Sequence, residues 1–228
     1  MGLEVMLALL VGGVVGSGAH VLLAAPAASG APVEVAGASA SRGESAAVVT
    51  LHAAGCGVSR QGSGVLVSAG DGSVQLVTNA HVVAGATTVR AVLADSTEVE
   101  LAVLGAVRGR DAARIDPSGL LAAGAQPIEV GEPADPGDPV RVVGYPAGEF
   151  SAVTAAVQDA QVRAGYGSAV EVLLVGSQAR GGHSGGAVLD SHGLLVGLVA
   201  ARDPGTGRVV AYRIGDLLSQ ELDGPPVC

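Results

Sequence analysis

The sequence predicts an all-β domain, folded as small barrels and closing on a single helix. Three observations carry that prediction. Short aliphatic or β-branched runs recur along the chain between Gly, Asp and Ser residues, which is the spacing of strands joined by tight turns. Only Ile214 to Leu222, with Leu217, Leu218 and Leu222 at helical spacing, reads as a helix. Ala, Val and Gly dominate the 228 residues while aromatic residues reach only 2%, so the core must be packed from small aliphatic side chains. A single β-sandwich would show the same pattern, and periodicity does not separate it from barrels.

Met1 to Ala28 is an apolar extension, with Leu3 to Leu10, Val11, Val14, Val15 and Val21 to Ala25 interrupted by Glu4, His20 and several glycines. Roughly 20 residues of this kind cross a hydrocarbon core of about 30 Å, so the stretch suits a membrane anchor. It suits a signal peptide equally, because Leu22 to Ala28 offers small residues for cleavage, although no Lys or Arg precedes it as an n-region normally requires. A start codon chosen too far downstream would also explain that bare beginning. The first basic residue, Arg42, lies on the far side and leans toward a cytoplasmic C-terminal portion, against what the cysteines suggest below. Ser29 to Ser45 is rich in Ala, Gly, Ser and Pro without apolar period, a linker composition. The globular part is expected from about Ala46.

Six strands follow: Val48 to His52, Gly64 to Ser68, Val74 to Thr78, Val89 to Ala94, Val99 to Val107 and Ala112 to Ile115. Asp116 to Gln126, with Pro117, Gly119 and Gly124, then joins two lobes. The second lobe offers Ile128 to Val130, Val140 to Gly144, Ala152 to Arg163, Val170 to Val175, Ala187 to Leu189, Leu194 to Ala201 and Arg208 to Ile214. Charged residues are 14% and hydrophobic ones 49%, which excludes disorder throughout. All twelve basic residues are arginine against 21 acids, a net charge of -9. Such a surface repels phosphate backbones, so no nucleic-acid partner is expected.

Chemistry concentrates at Gly181 to Ala187, where Ser184 stands between two pairs of glycines. A serine becomes a nucleophile when its oxygen is exposed, a base takes its proton and backbone N–H groups receive the charge that develops on the substrate. Glycines allow the tight turn and close backbone approach this needs. The base has a candidate in His81, which follows the run Val74 to Val77 in Thr78-Asn-Ala-His-Val-Val83 and so sits at a strand end. Gly182 to Gly186 also fits the G-x-S-x-G elbow of α/β-hydrolases, where an acid and then a histidine follow the serine. That order fails. The one later histidine, His192, comes too soon, and Ala187 to Leu198 reads as strand where the elbow demands a helix.

Taken together the two stretches resemble the histidine and serine boxes of chymotrypsin-like serine proteases, in particular the bacterial high-temperature-requirement branch. Gly62 to Gly64, Val143-Gly-Tyr-Pro146, Gly193 to Val199 and Ala211 to Ile214 resemble further landmarks, so the likeness covers nearly all of Ala46 to Leu222. It implies two six-stranded antiparallel β-barrels with a C-terminal helix, and a His-Asp-Ser triad in the cleft between them. It implies His81 as base, Ser184 as nucleophile, and Asp111 as the acid that orients His81, with Asp116 and Asp95 as alternatives because Arg114 interrupts the aliphatic run expected after Asp111. The N–H groups of Gly182 and Ser184 would form the oxyanion hole. Gln178, six residues before the serine, would lie near the base of the S1 pocket, where a neutral amide does not favour a strict Arg or Lys preference.

His183 departs from the family pattern. Members activated by cleavage carry an aspartate there to pair with a new N-terminus, so no such activation is expected. The substrate class implied is protein or peptide, with neither metal nor nucleotide cofactor. A protease fold that binds without turnover is the alternative. No residues remain after Leu222 for a PDZ module, and the oligomeric state stays open.

Cys56 and Cys228 are the only cysteines. Their spacing fits no zinc site. Cys56 before Gly-Ser-Gly, a terminal cysteine and an apolar N-terminus resemble the membrane-anchored acid-resistance proteases of actinobacteria. That likeness implies a Cys56–Cys228 disulfide and an extracytoplasmic protease domain, held at the membrane if residues 1–28 are retained and secreted if they are cleaved.

Overall fold

A computed structural model describes residues 42–165, 168–178 and 180–225. The apolar extension, most of the expected linker and Cys228 lie outside them. Among the described residues no helix is long and apolar enough to cross a membrane.

The described chain opens with α1 (Arg42–Ala47), which takes in the last residues of the expected linker. Glu44 in α1 is buried and pairs with Arg141 at 2.5 Å.

The first lobe is a curled sheet. It runs through β1 (Val48–Gly55), β2 (Val58–Ser68), β3 (Val74–Thr78), β4 (Thr88–Val92), β5 (Glu98–Leu101), β6 (Val103–Val107) and β7 (Ala113–Ile115). β4 alternates as a sheet with one covered face requires, burying Val89 and Ala91 and exposing Thr88 and Arg90, whereas β1 buries residues 48–51 and β2 residues 62–67 without a break. The run expected as one strand from Val99 to Val107 breaks at Ala102. Its carbonyl is taken by the Asp116 N–H, and the chain turns the corner from β5 to β6.

Nine strands share this sheet where six were expected. β8 (Ile128–Glu129) pairs in parallel with β2, and β15 (Leu222–Asp223) pairs with β6. The segment between the lobes is partly helical, as α3 (Ser118–Ala122) with Leu120 buried beneath it.

The second lobe is a closed six-stranded barrel in the order β10 (Ser151–Gly165), β11 (Ser168–Gln178), β14 (Arg208–Arg213), β13 (Leu195–Arg202), β12 (Ala187–Leu189) and β9 (Pro139–Gly144). After Ser184 the chain therefore runs into strand β12, as the serine-box reading requires and the hydrolase elbow forbids.

The C-terminal helix is shorter than expected. α4 covers Gly215–Ser219 and buries Leu217, and the chain then extends so that Leu222 pairs with Val107 and the Arg108 N–H donates to the Glu221 carbonyl. Edge pairing on β6 wins over helical propensity there, because the pairing satisfies backbone groups and packs Leu222 on the core.

One apolar cluster fills the first lobe around Leu51, Leu66, Leu76 and Ile115, and another fills the barrel around Val142, Leu173 and Val199. A third joins the lobes. It packs Ala47, Val48, Val65 and Val107 against Tyr145, Leu189, Leu198 and Ile214. The site lies along this junction.

Candidate active site

β3 ends at Thr78, and the chain turns at Asn79 into the single helical turn α2 (Ala80–Val83) that carries His81. Val82 and Val83 are buried, which fixes the turn and leaves the His81 side chain 45% exposed. Asp111, just before β7, holds His81 twice. Its Oδ1 accepts the His81 backbone N–H at 2.9 Å, and its Oδ2 lies 2.6 Å from Nδ1. The carboxylate is itself buried, and the Asn79 side chain donates to the Asp111 carbonyl at 2.8 Å. An ionised carboxylate can only accept, so Nδ1 carries the proton and Nε2 is left with a free lone pair.

Asp95 and Asp116 are engaged elsewhere. Each accepts a backbone N–H two residues on, from Thr97 and Ser118 respectively, and those bonds hold both carboxyls below their ordinary range.

Ser184 lies in a turn over-determined by hydrogen bonds. Gly182 and Gly185 have φ of 96° and 78°, conformations that side chains rarely adopt. A Cβ on Gly182 would run into the Tyr145 carbonyl, and one on Gly185 into the Ser63 carbonyl. Gly185 N–H donates to Val199 and Gly186 N–H to His183, both at 2.8 Å. The Gly181 carbonyl accepts from Ala147 at 3.1 Å.

Ser63 of β2 ties this turn to the first lobe. Its backbone N–H donates to the Ser184 carbonyl at 2.8 Å, and its hydroxyl donates to the Gly182 carbonyl at 2.7 Å while accepting the Tyr145 N–H at 2.9 Å. The neighbouring Gly62 meets both halves of the site. A Cβ there would stand 2.7 Å from the Val82 side chain and 3.2 Å from the Ser184 carbonyl. The histidine turn and the serine turn thus converge on one glycine. Among the described residues, the N–H groups of Gly182 and Ser184 donate to no acceptor.

A cavity of about 340 Å³ opens beside Ser184, lined by Arg180, Gly181, His183, Val199, Ala201 and Arg202. His183 is buried, and burial pushes its imidazole below the ordinary histidine value. Gln178 ends β11 opposite Arg208, and its side chain lies outside the described residues. Cys56 occupies the β1–β2 turn with φ of 47°.

Ser63, Asn79, Arg180 and Arg202 were not singled out from the sequence. Ser63 carries a faint signal, since it stands between two glycines where backbones approach closely. The arginines carry none, because residues 180 and 202 meet only through the barrel.

The model of the trypsin-like peptidase domain matches residues 62–198. Protease Do-like 1, chloroplastic, of Arabidopsis thaliana is 36% identical over 136 residues, 55% of this chain and 30% of that protein. The chain thus spans about a third of the length of this curated relative. The Rv3671c protease of M. tuberculosis, solved in its active form, superposes with a TM-score of 0.68 at 25% identity over 81% of this chain and 86% of that one. The HtrA-type protease AlgW with a tripeptide gives a TM-score of 0.67 at 23% identity, over 77% and 59% of the two chains, a likeness of fold.

Proposed function

The chain belongs to the trypsin-like peptidase domain family, in its high-temperature-requirement branch, and on that premise we propose that it is a serine endopeptidase working through His81, Asp111 and Ser184. The observation that carries this reading is the double grip of Asp111 on His81, which points a free Nε2 away from the carboxylate.

His81 Nε2 takes the Ser184 hydroxyl proton as Oγ bonds to the substrate carbonyl carbon, and the carbonyl electron pair moves onto oxygen. The N–H groups of Gly182 and Ser184, free of acceptors among the described residues, receive that oxyanion. The imidazolium then hands its proton to the leaving amine, the C–N bond breaks, and Ser184 is left acylated. Water repeats the sequence and regenerates the hydroxyl.

The cavity beside Ser184 is the P1 site in this reading. Its two arginines repel a cationic side chain, and this agrees with the neutral amide of Gln178 in disfavouring Arg or Lys at P1. A protein or peptide is the substrate.

In this reading the domain works outside the cytoplasm, held at the membrane by residues 1–28 where these are retained. A Cys56–Cys228 disulfide would go with that location, because an oxidising compartment favours a bridge. Non-reduced peptide mapping should recover the crosslinked peptide, and two fully alkylatable thiols in exported protein would refute it.

A fluorophosphonate probe tests the enzyme reading. Wild type should label and Ser184→Ala should not. Folded wild type that stays unlabelled would assign the fold to a binding role.

A further inference from the structure

The serine turn holds a second histidine that the proposed chemistry does not use. His183 is 3% exposed, and its Nδ1 accepts the Arg180 backbone N–H at 3.1 Å. Its own N–H donates back to the Arg180 carbonyl at 3.2 Å. The two bonds clamp the segment that contains Gly181 and Gly182. Because Nδ1 accepts, the proton of the neutral ring sits on Nε2, which is buried without a partner among the described residues.

We propose that His183 is the positioning residue of the nucleophile turn. Neutral, it fixes the Gly182 and Ser184 N–H groups; protonated, it releases them, so acid switches the enzyme off at two histidines instead of one. This rests on Ser184 being the nucleophile.

A protonated Nδ1 would face the Arg180 N–H donor with a second donor, and the clamp opens. Among the described residues, no carboxylate acts on the ring to offset this. From β9 it meets Gly144, where a Cβ would lie 3.4 Å from its Cδ2, and the same point is 3.1 Å from the Ser63 hydroxyl of β2. Tyr145, the residue after β9, is a buried phenol that burial keeps neutral. From β13 the cavity wall brings Arg202, and its own turn brings Arg180, both cationic.

Burial lowers the ring below 6.5 and outweighs a backbone hydrogen bond at Arg180 that acts the other way, while the charge of Arg180 adds to the lowering. An unfolded imidazole therefore binds its proton at a higher pH than the folded one. The contribution of His183 to stability is full above about 6.5 and is lost as pH falls through the folded value.

The test uses the full chain, with fluorophosphonate labelling rates and thermal midpoints measured from pH 8 to 4.5. His183→Leu removes the acceptor and should slow labelling at pH 8 about ten- to a hundredfold. His183→Asn offers a side-chain oxygen to the same N–H without titrating. It should rescue most of that rate, its acid fall should follow one proton where wild type follows two, and its midpoint should drop less below pH 6.5.

An Asn variant with the wild-type two-proton fall and midpoint shift would overturn the proposal, as would a Leu variant that labels as fast as wild type. Should the Leu variant fail to fold, the Asn variant carries both readouts. Wild type unlabelled at every pH, with a midpoint shift that Asn abolishes, would refute Ser184 as nucleophile and still support the clamp.

Discussion

Ser63→Ala should weaken the protein and its chemistry together. The residue is fully buried, and its hydroxyl bridges Tyr145 at the end of β9 and Gly182 in the serine turn. Alanine keeps the strand and the backbone bond to Ser184 but strands the Tyr145 N–H and the Gly182 carbonyl. Leaving a buried polar group unsatisfied costs about 1–3 kcal/mol, so two orphaned groups cost roughly 2–6 kcal/mol, the lower half applying where the turn relaxes or water enters. At about 3 kcal/mol, a domain of this size loses roughly 6–12 °C in Tm.

The second consequence is kinetic. With the Gly182 carbonyl untethered, the backbone on either side of it can shift and carry the Gly182 and Ser184 N–H groups out of line, which should lower kcat about tenfold or more while KM moves less. Urea unfolding followed by circular dichroism, alongside peptide hydrolysis, reads both effects. A variant within about 0.5 kcal/mol of wild type and with unchanged kcat would refute the role given to Ser63.

Three further outcomes are expected. Asp111→Asn keeps an acceptor for the His81 N–H but presents an amide to Nδ1; the wrong tautomer should reduce kcat about a thousandfold or more, and a loss under tenfold in peptide hydrolysis would exclude Asp111 as the triad acid. Gly185→Ala forces a Cβ at φ 78° into the Ser63 carbonyl and the Thr78 hydroxyl, so it should cost about 3 kcal/mol or more in denaturant unfolding, or prevent folding; wild-type stability would contradict the turn geometry. Arg202→Glu reverses one charge on the cavity beside Ser184 and should raise kcat/KM for basic over neutral P1 residues by about tenfold; a peptide library that returns the same profile would take Arg202 out of the P1 site.

What could be read from the sequence is what local pattern encodes. Strand runs bounded by turn residues, glycines flanking a serine and a histidine at a strand end depend on neighbours along the chain, so the all-β class and the two boxes were legible, with Asp111 coming from the resemblance. Tertiary structure decided the rest. It split the run from Val99 to Val107 at Ala102, because a corner there passes a carbonyl to Asp116. It ended the last helix at Ser219, because Leu222 completes the edge of β6. It made Ser63 a tether between lobes, buried His183, and set Arg180 and Arg202 around one cavity. Each of these depends on contacts between residues distant in sequence, and such contacts leave no period or spacing to read until the barrel has closed.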